Sequence, residues 1–208
     1  MQSKFKQVLS LVMAVCMMLA LLPVTASIQA NAAESYTWTK VALSDISATD
    51  TIAITMSNGT KTWALTNNNG TSKAPVAKEV TVSGNSMTST SSDDMAWNIS
   101  ISGSDLTIYV AGSTKTWLYS TKTNNGVRGG TNTNKTWIVD SASGYLKHTG
   151  TSRYLGVYNG SDWRAYTDTT GNTKGQTLAF WKLNVNTTPE CEHSYESVVT
   201  APTCTAAG

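Results

Sequence analysis

The chain has 208 residues, with 15 Lys and Arg against 13 Asp and Glu, for a net charge of +2. Residues 1–32 hold two of those lysines and no acid, so the remainder carries 13 charges of each sign and is neutral. Net neutrality does not support an electrostatic case for nucleic-acid binding, and the length suits one domain of ordinary size with short appendages.

Lys4 and Lys6 precede an apolar run from Val8 to Val24, and Ala30-Asn31-Ala32 follows. A basic start, an apolar stretch and a small-x-small site make an export signal. Ser10 and Pro23 interrupt the run, whereas a retained membrane helix needs about 20 apolar residues. Cys16 sits inside the run rather than at its end, the wrong place for lipid attachment. The sequence therefore predicts a signal peptide over 1–32, cleaved after Ala32 or Ala33, and an extracellular product, secreted or cell-surface associated, with no membrane segment. Cys191 and Cys204 are the cysteines that survive, so the main domain is held by its apolar core alone.

From residue 34 the chain is rich in Thr, Ser, Asn and Gly, and no stretch keeps a helical period over three turns. Short β-branched or aromatic runs recur instead. They are Thr51–Met56, Trp63–Thr66, Glu79–Val82, Trp97–Ile101, Leu106–Val110, Trp117–Ser120, Trp137–Val139, Tyr145–Lys147, Tyr154–Tyr158, Trp163–Tyr166 and Leu178–Leu183. Asn58-Gly59, Ser83-Gly84, Ser102-Gly103, Asn125-Gly126, Ser143-Gly144 and Asn159-Gly160 punctuate them with turn chemistry. Strands this short, about ten residues apart, predict an all-β antiparallel fold.

A longer repeat overlies the strands. Trp opens four similar strings at Trp38, Trp97, Trp137 and Trp181, and between them a basic residue precedes an aromatic and a Leu: Lys61-Thr-Trp63-Ala-Leu65, Lys115-Thr-Trp117-Leu118 and Arg153-Tyr154-Leu155. Three four-stranded units of about 40 residues predict a β-trefoil-like barrel over 34–186. Trp97, Trp137 and Trp181 are then core residues related by a threefold axis.

The Trp-ended repeats resemble those of ricin-type lectins, where each repeat closes on a Trp in a shared core. This chain has Met95, Lys135 and Ala179 where those lectins place a Gln, and it lacks their Cys-Leu-Asp strings. The strings Val41–Ile46, Asp50–Ile54, Trp63-Ala-Leu65 and Arg153-Tyr-Leu-Gly156 also resemble accessory modules of secreted hydrolases and nucleases of gut bacteria. Beyond Val185, Asn186-Thr-Thr-Pro189 reads as a linker, and residues 187–208 as a tail. Cys191-Glu-His193-Ser-Tyr195 and Ala201-Pro-Thr-Cys204 are similar to the opening of small Cys-rich repeats in surface proteins of gut Firmicutes. That resemblance implies a Gram-positive source and an N-terminal fragment of a longer chain.

Candidate sites are few. Cys191, His193 and Cys204 are three ligands of the zinc-binding type, one short of a closed structural site; a Cys191–Cys204 disulfide and unpaired thiols are the other readings. His148 follows Lys147 in a strand, and no nucleophile-elbow, Walker or His-Glu-x-x-His string accompanies it. The sequence thus predicts no catalytic residues and no cofactor. The turn around Asn159-Gly160 differs from the rest, because it gathers Tyr158, Asn159, Asp162, Trp163 and Tyr166. An aromatic face for a pyranose and a carboxylate for its hydroxyls are the chemistry of sugar recognition. Trp163 or Tyr158 is expected to stack and Asp162 to accept. The matching stretches Tyr119–Asn125 and Asn67–Lys73 have less aromatic equipment. The predicted function is a monomeric, non-catalytic module for carbohydrate or cell-envelope glycan. The alternatives are an accessory domain of a secreted hydrolase or nuclease, and a structural adhesin or spacer.

Overall fold

The computed structural model describes residues 36–68, 70–89 and 93–184. Residues 1–32, expected to be a signal peptide, and the tail with Cys191, His193 and Cys204 lie outside the described residues. The protein is all-β, with fourteen strands among the described residues: β1 (Tyr36–Val41), β2 (Ile52–Ser57), β3 (Thr62–Leu65), β4 (Ala77–Ser83), β5 (Ser86–Ser89), β6 (Trp97–Ser102), β7 (Asp105–Val110), β8 (Trp117–Ser120), β9 (Val127–Gly130), β10 (Thr136–Val139), β11 (Leu146–His148), β12 (Arg153–Tyr158), β13 (Asp162–Tyr166) and β14 (Thr177–Asn184). Each run picked out in the sequence forms a strand, and every strand pairing is antiparallel.

Six strands close on themselves in the order β2-β14-β1-β5-β4-β3, so this ring leaves no free edge. The other eight lie outside it, as β6-β7-β10-β11-β12-β13 with the β8–β9 pair attached to β7. One Cα pairing, Ile52 with Trp97, joins the ring to that outer group.

The strand β2 explains how two cores share one sheet. Its residues Ile52-Ala-Ile-Thr-Met56 are all buried, which requires cover on both faces. Ala53 points into the ring with Trp38, Ala64, Met87, Met95 and Trp181. Ile52, Ile54 and Met56 face the other way, into a larger core with Leu65, Trp97, Trp137, Trp163 and Phe180. The same alternation runs through β3 and β14, as the period of two in a strand demands.

This arrangement corrects the threefold expectation for the tryptophans. Trp97, Trp137 and Trp181 are all buried, but Trp181 lies in the ring and its neighbour Phe180 takes the position in the larger core. The third fully buried indole of the larger core is Trp163. The ring takes β1 to β5 and β14, so its strands are not drawn evenly from three units.

Candidate functional site

The hairpin of β12 and β13 turns at Asn159-Gly160, with φ of +48° and +70°. Two left-handed residues in succession are what a type I′ hairpin turn needs, and Asn-Gly adopts them at least cost. Ser161 N–H closes the turn on the Tyr158 carbonyl at 2.9 Å. A Cβ on Gly160 would lie 3.2 Å from the Trp63 indole, so the turn rests on β3.

Strand pairing then sorts the side chains of this hairpin. Trp163 and Ala165 face the core, and Asp162, Arg164 and Tyr166 share the opposite face. Leu155 and Val157 on β12 join the inward set. The Trp163 indole is fully buried and donates to the Ala64 carbonyl at 3.1 Å. Trp163 therefore cannot stack on a ligand, which corrects the sequence expectation. Tyr166 is also buried, at 6% exposure, so it offers no ligand surface either. Its hydroxyl has no hydrogen-bond partner among the described residues, and burial holds its pKa above the usual tyrosine value.

Tyr158, Asn159 and Asp162 do lie together at the surface end of the hairpin. Asp162 Oδ1 and Oδ2 accept from Arg164 Nε and Nη2 at 2.6 and 3.2 Å. That charged bond keeps the Arg164 guanidinium protonated beyond its usual range. The same guanidinium covers the Tyr158 ring at 3.8 Å from its centroid. The Asp162 carboxylate and one Tyr158 face are thus already engaged within the protein.

The three stretches that the sequence offered as separate sites converge on one place. Trp163 N–H donates to the Pro75 carbonyl at 2.8 Å, and Ala77 N–H to the Ser161 carbonyl at 3.1 Å. Ala165 N–H reaches the Asn124 carbonyl at 2.8 Å, and Gly129 N–H the Gly70 carbonyl at 3.0 Å. Arg153 ties the same loops, from Nη1 to Asn124 Oδ1 and from Nη2 to the Lys122 carbonyl. Between these segments lies a concavity of about 440 Å³. Ser72, Asn125, Ser161 and Asp162 give it hydroxyl, amide and carboxylate groups, and Ala74 and Val76 an apolar patch. Lys73, Arg128 and Arg164 add positive charge. This chemistry suits binding: a rigid main-chain frame, several polar groups of mixed type, and a small apolar surface.

Arg128 was missed by sequence reasoning, and Lys73 entered it only as the end of the stretch Asn67–Lys73. Neither stands in a motif, and they are 55 positions apart; their segments are brought together by the Gly129–Gly70 contact and by the Arg128 Nε bond to the Thr71 carbonyl. A second concavity, of about 380 Å³, lies beside Tyr109 and Asn98. Its neighbouring aromatic, Trp117, meets Tyr109 edge-on at 6.1 Å and is covered by the Lys135 ammonium at 4.3 Å. His148 is fully buried, with Nδ1 2.9 Å from Thr151 Oγ1 and Nε2 2.9 Å from the Asn134 carbonyl. Since a carbonyl only accepts, Nε2 carries the proton and Nδ1 accepts from Thr151, which makes His148 a structural group. Among the described residues, no cluster of three His, Cys, Asp or Glu is placed to hold a metal.

No family model matches the chain, and no curated protein does. Among solved structures, the chain is similar to a salivary protein from Culex quiquefasciatus that belongs to the Cysteine and Tryptophan-Rich (CWRC) family. The identity is 17% and the TM-score 0.41, over 65% of this chain and 98% of the mosquito protein.

Proposed function

We propose that this protein is an extracellular, non-catalytic binding module whose ligand is a carbohydrate or cell-envelope glycan. The observation that carries this reading is the convergence of three segments on one concavity with hydroxyl, amide and carboxylate groups around exposed Val76. Sugars present hydroxyls in pairs beside C–H faces, so Asn125 and Ser161 suit the hydroxyls and Val76 with Ala74 suits the C–H face. Among the described residues the three stretches line one shared concavity, which supports one site in place of one per unit. Its export rests on the signal-type segment at 1–32.

We read the architecture as a distant variant of the trefoil plan, on one repeated detail. Trp97 Nε1 donates to the Leu65 carbonyl at 2.9 Å, and Trp137 Nε1 to the Leu118 carbonyl at 3.0 Å. Each Leu ends the basic-aromatic-Leu string that precedes its Trp. In the last unit Phe180 fills the equivalent core place without an N–H to donate.

A glycan array followed by calorimetric titration tests the function. Weak binding is expected, because association entropy is large and a shallow concavity buries little area. Asn125→Ala should weaken it about tenfold, in line with the loss of one or two hydrogen bonds. Absence of binding across the array, or equal binding by wild type and Asn125→Ala, removes the proposal.

A further inference from the structure

The unbalanced charge of the concavity narrows the ligand class. Outside residues 1–32 the chain holds 13 acids and 13 bases, yet this one concavity gathers Lys73, Arg128 and Arg164 against the single carboxylate of Asp162. Asp162 is taken by Arg164 in a two-point bond, and that pair is neutral. Lys73 is exposed and has no carboxylate partner among the described residues.

Arg128 matters more, because of how it is held. Nε donates to the Thr71 carbonyl at 3.2 Å, and Nη1 donates to the Val127 carbonyl at 2.7 Å and to the Asn125 carbonyl at 2.5 Å. Carbonyl dipoles fix the guanidinium in place but do not cancel its charge. Its Nη2 has no protein partner among the described residues. A cation fixed by the main chain, unneutralised and half-exposed at the wall of a concavity, is preorganised for an anion. Arginine serves this role better than lysine, since its planar fork meets a carboxylate or phosphate at two points.

We propose that the glycan bound here is acidic: an anionic saccharide whose carboxylate or phosphate group sits between Arg128 Nη2 and the Lys73 ammonium, while Asn125 and Ser161 take neighbouring hydroxyls. This rests on the glycan reading above. It makes Asp162 a restraint on Arg164 rather than an acceptor of sugar hydroxyls.

The test titrates the full-length chain with polygalacturonate for the carboxylate arm, poly(glycerol phosphate) for the phosphate arm, neutral dextran, and single-stranded DNA. One or both acidic polymers should bind at least about tenfold more tightly than dextran, and the preference should shrink as salt is raised. Lys73→Gln should weaken acidic-polymer binding about tenfold, and by clearly more than it weakens dextran binding. Arg128→Gln should do at least as much, with a thermal melt to check that the loop is intact; Lys73→Gln removes no side-chain hydrogen bond or ion pair among the described residues and decides the matter if Arg128→Gln fails to fold. Asp162→Asn should tighten acidic binding by freeing Arg164. If dextran binds as well as the acidic polymers and Asp162→Asn weakens both, the acidic inference is overturned and the glycan reading stands. If no polysaccharide binds, both fall. If DNA binds as tightly as the best acidic polymer, the concavity reads charge alone, and the saccharide proposal is overturned.

Discussion

The ring interior and the larger core lie on opposite faces of β2 and anchor their indoles differently. In the larger core, Trp97, Trp137 and Trp163 all donate to main-chain carbonyls, those of Leu65, Leu118 and Ala64. Inside the ring, Trp38 donates to Ser89 Oγ at 3.1 Å and Trp181 to Thr55 Oγ1 at 2.8 Å. A carbonyl is present whatever residue carries it, whereas a hydroxyl is lost in a single substitution. The larger core therefore depends on its tryptophans, and the ring depends on its tryptophans and on two small polar residues.

The largest expected effect is in the larger core. Trp137→Ala should cost about 3–5 kcal/mol in chemical denaturation, as large aromatic truncations in cores do, with the Leu118 carbonyl orphaned as well. Thr55→Val tests the ring side by leaving the Trp181 indole N–H buried without an acceptor, and should cost about 1–3 kcal/mol. If Thr55→Val is silent, the contrast between the two cores is wrong. Gly156→Ala should be of similar size, about 1–3 kcal/mol, because the new methyl would meet Thr173 Cγ2 at 2.1 Å.

His148 supplies a test by pH. Burial lowers its pKa in the folded protein below the ordinary value of 6.5. The unfolded chain therefore binds a proton first as pH falls, and folding is penalised. This contribution should be intact above about pH 6.5 and fade as pH drops toward the depressed folded value. Thermal melts of wild type and His148→Gln across pH 5–7 should converge at the acid end if this histidine is responsible. The smallest effect belongs to the exposed pair of Lys61 and Glu79, 2.8 Å apart with both side chains more than half exposed. Lys61→Ala should change stability by less than about 1 kcal/mol.

The sequence was a good guide wherever local chemistry decides. β-branched runs, Asn-Gly turns and the burial of Trp97, Trp137 and Trp181 follow from the residues themselves, as does the gathering of Tyr158, Asn159 and Asp162 at one turn. β5 was missed because Ser86-Met87-Thr88-Ser89 has no β-branched or aromatic run, and its register comes from pairing with β1 and β4. Trp163 was misplaced by proximity. Sequence adjacency to a turn says which residues are near, but the strand period decides which face each takes, and Trp163 is one residue out of phase with Asp162 and Arg164. Trp181 failed in the same way against Phe180. The concavity was hidden for a different reason, since contacts such as Gly70 with Gly129 and Pro75 with Trp163 leave no local pattern.

The closure of the ring has a kinetic meaning. β14 completes it by lying between β1 and β2, and Thr39 and Asn184, 145 residues apart, hydrogen-bond across the seam. Contacts this distant in sequence slow folding, because loop entropy is lost before the pairing is gained. During synthesis β1 and β2 remain unpaired along those edges until the last strand emerges, and exposed edges are where chains associate wrongly. The same geometry sets the two ends of the domain side by side. A circular permutant that joins residue 184 to residue 36 by a short linker, and opens the chain between exposed Thr114 and Lys115, would turn the seam into a local hairpin. Stopped-flow refolding of that permutant should be faster than that of the natural chain.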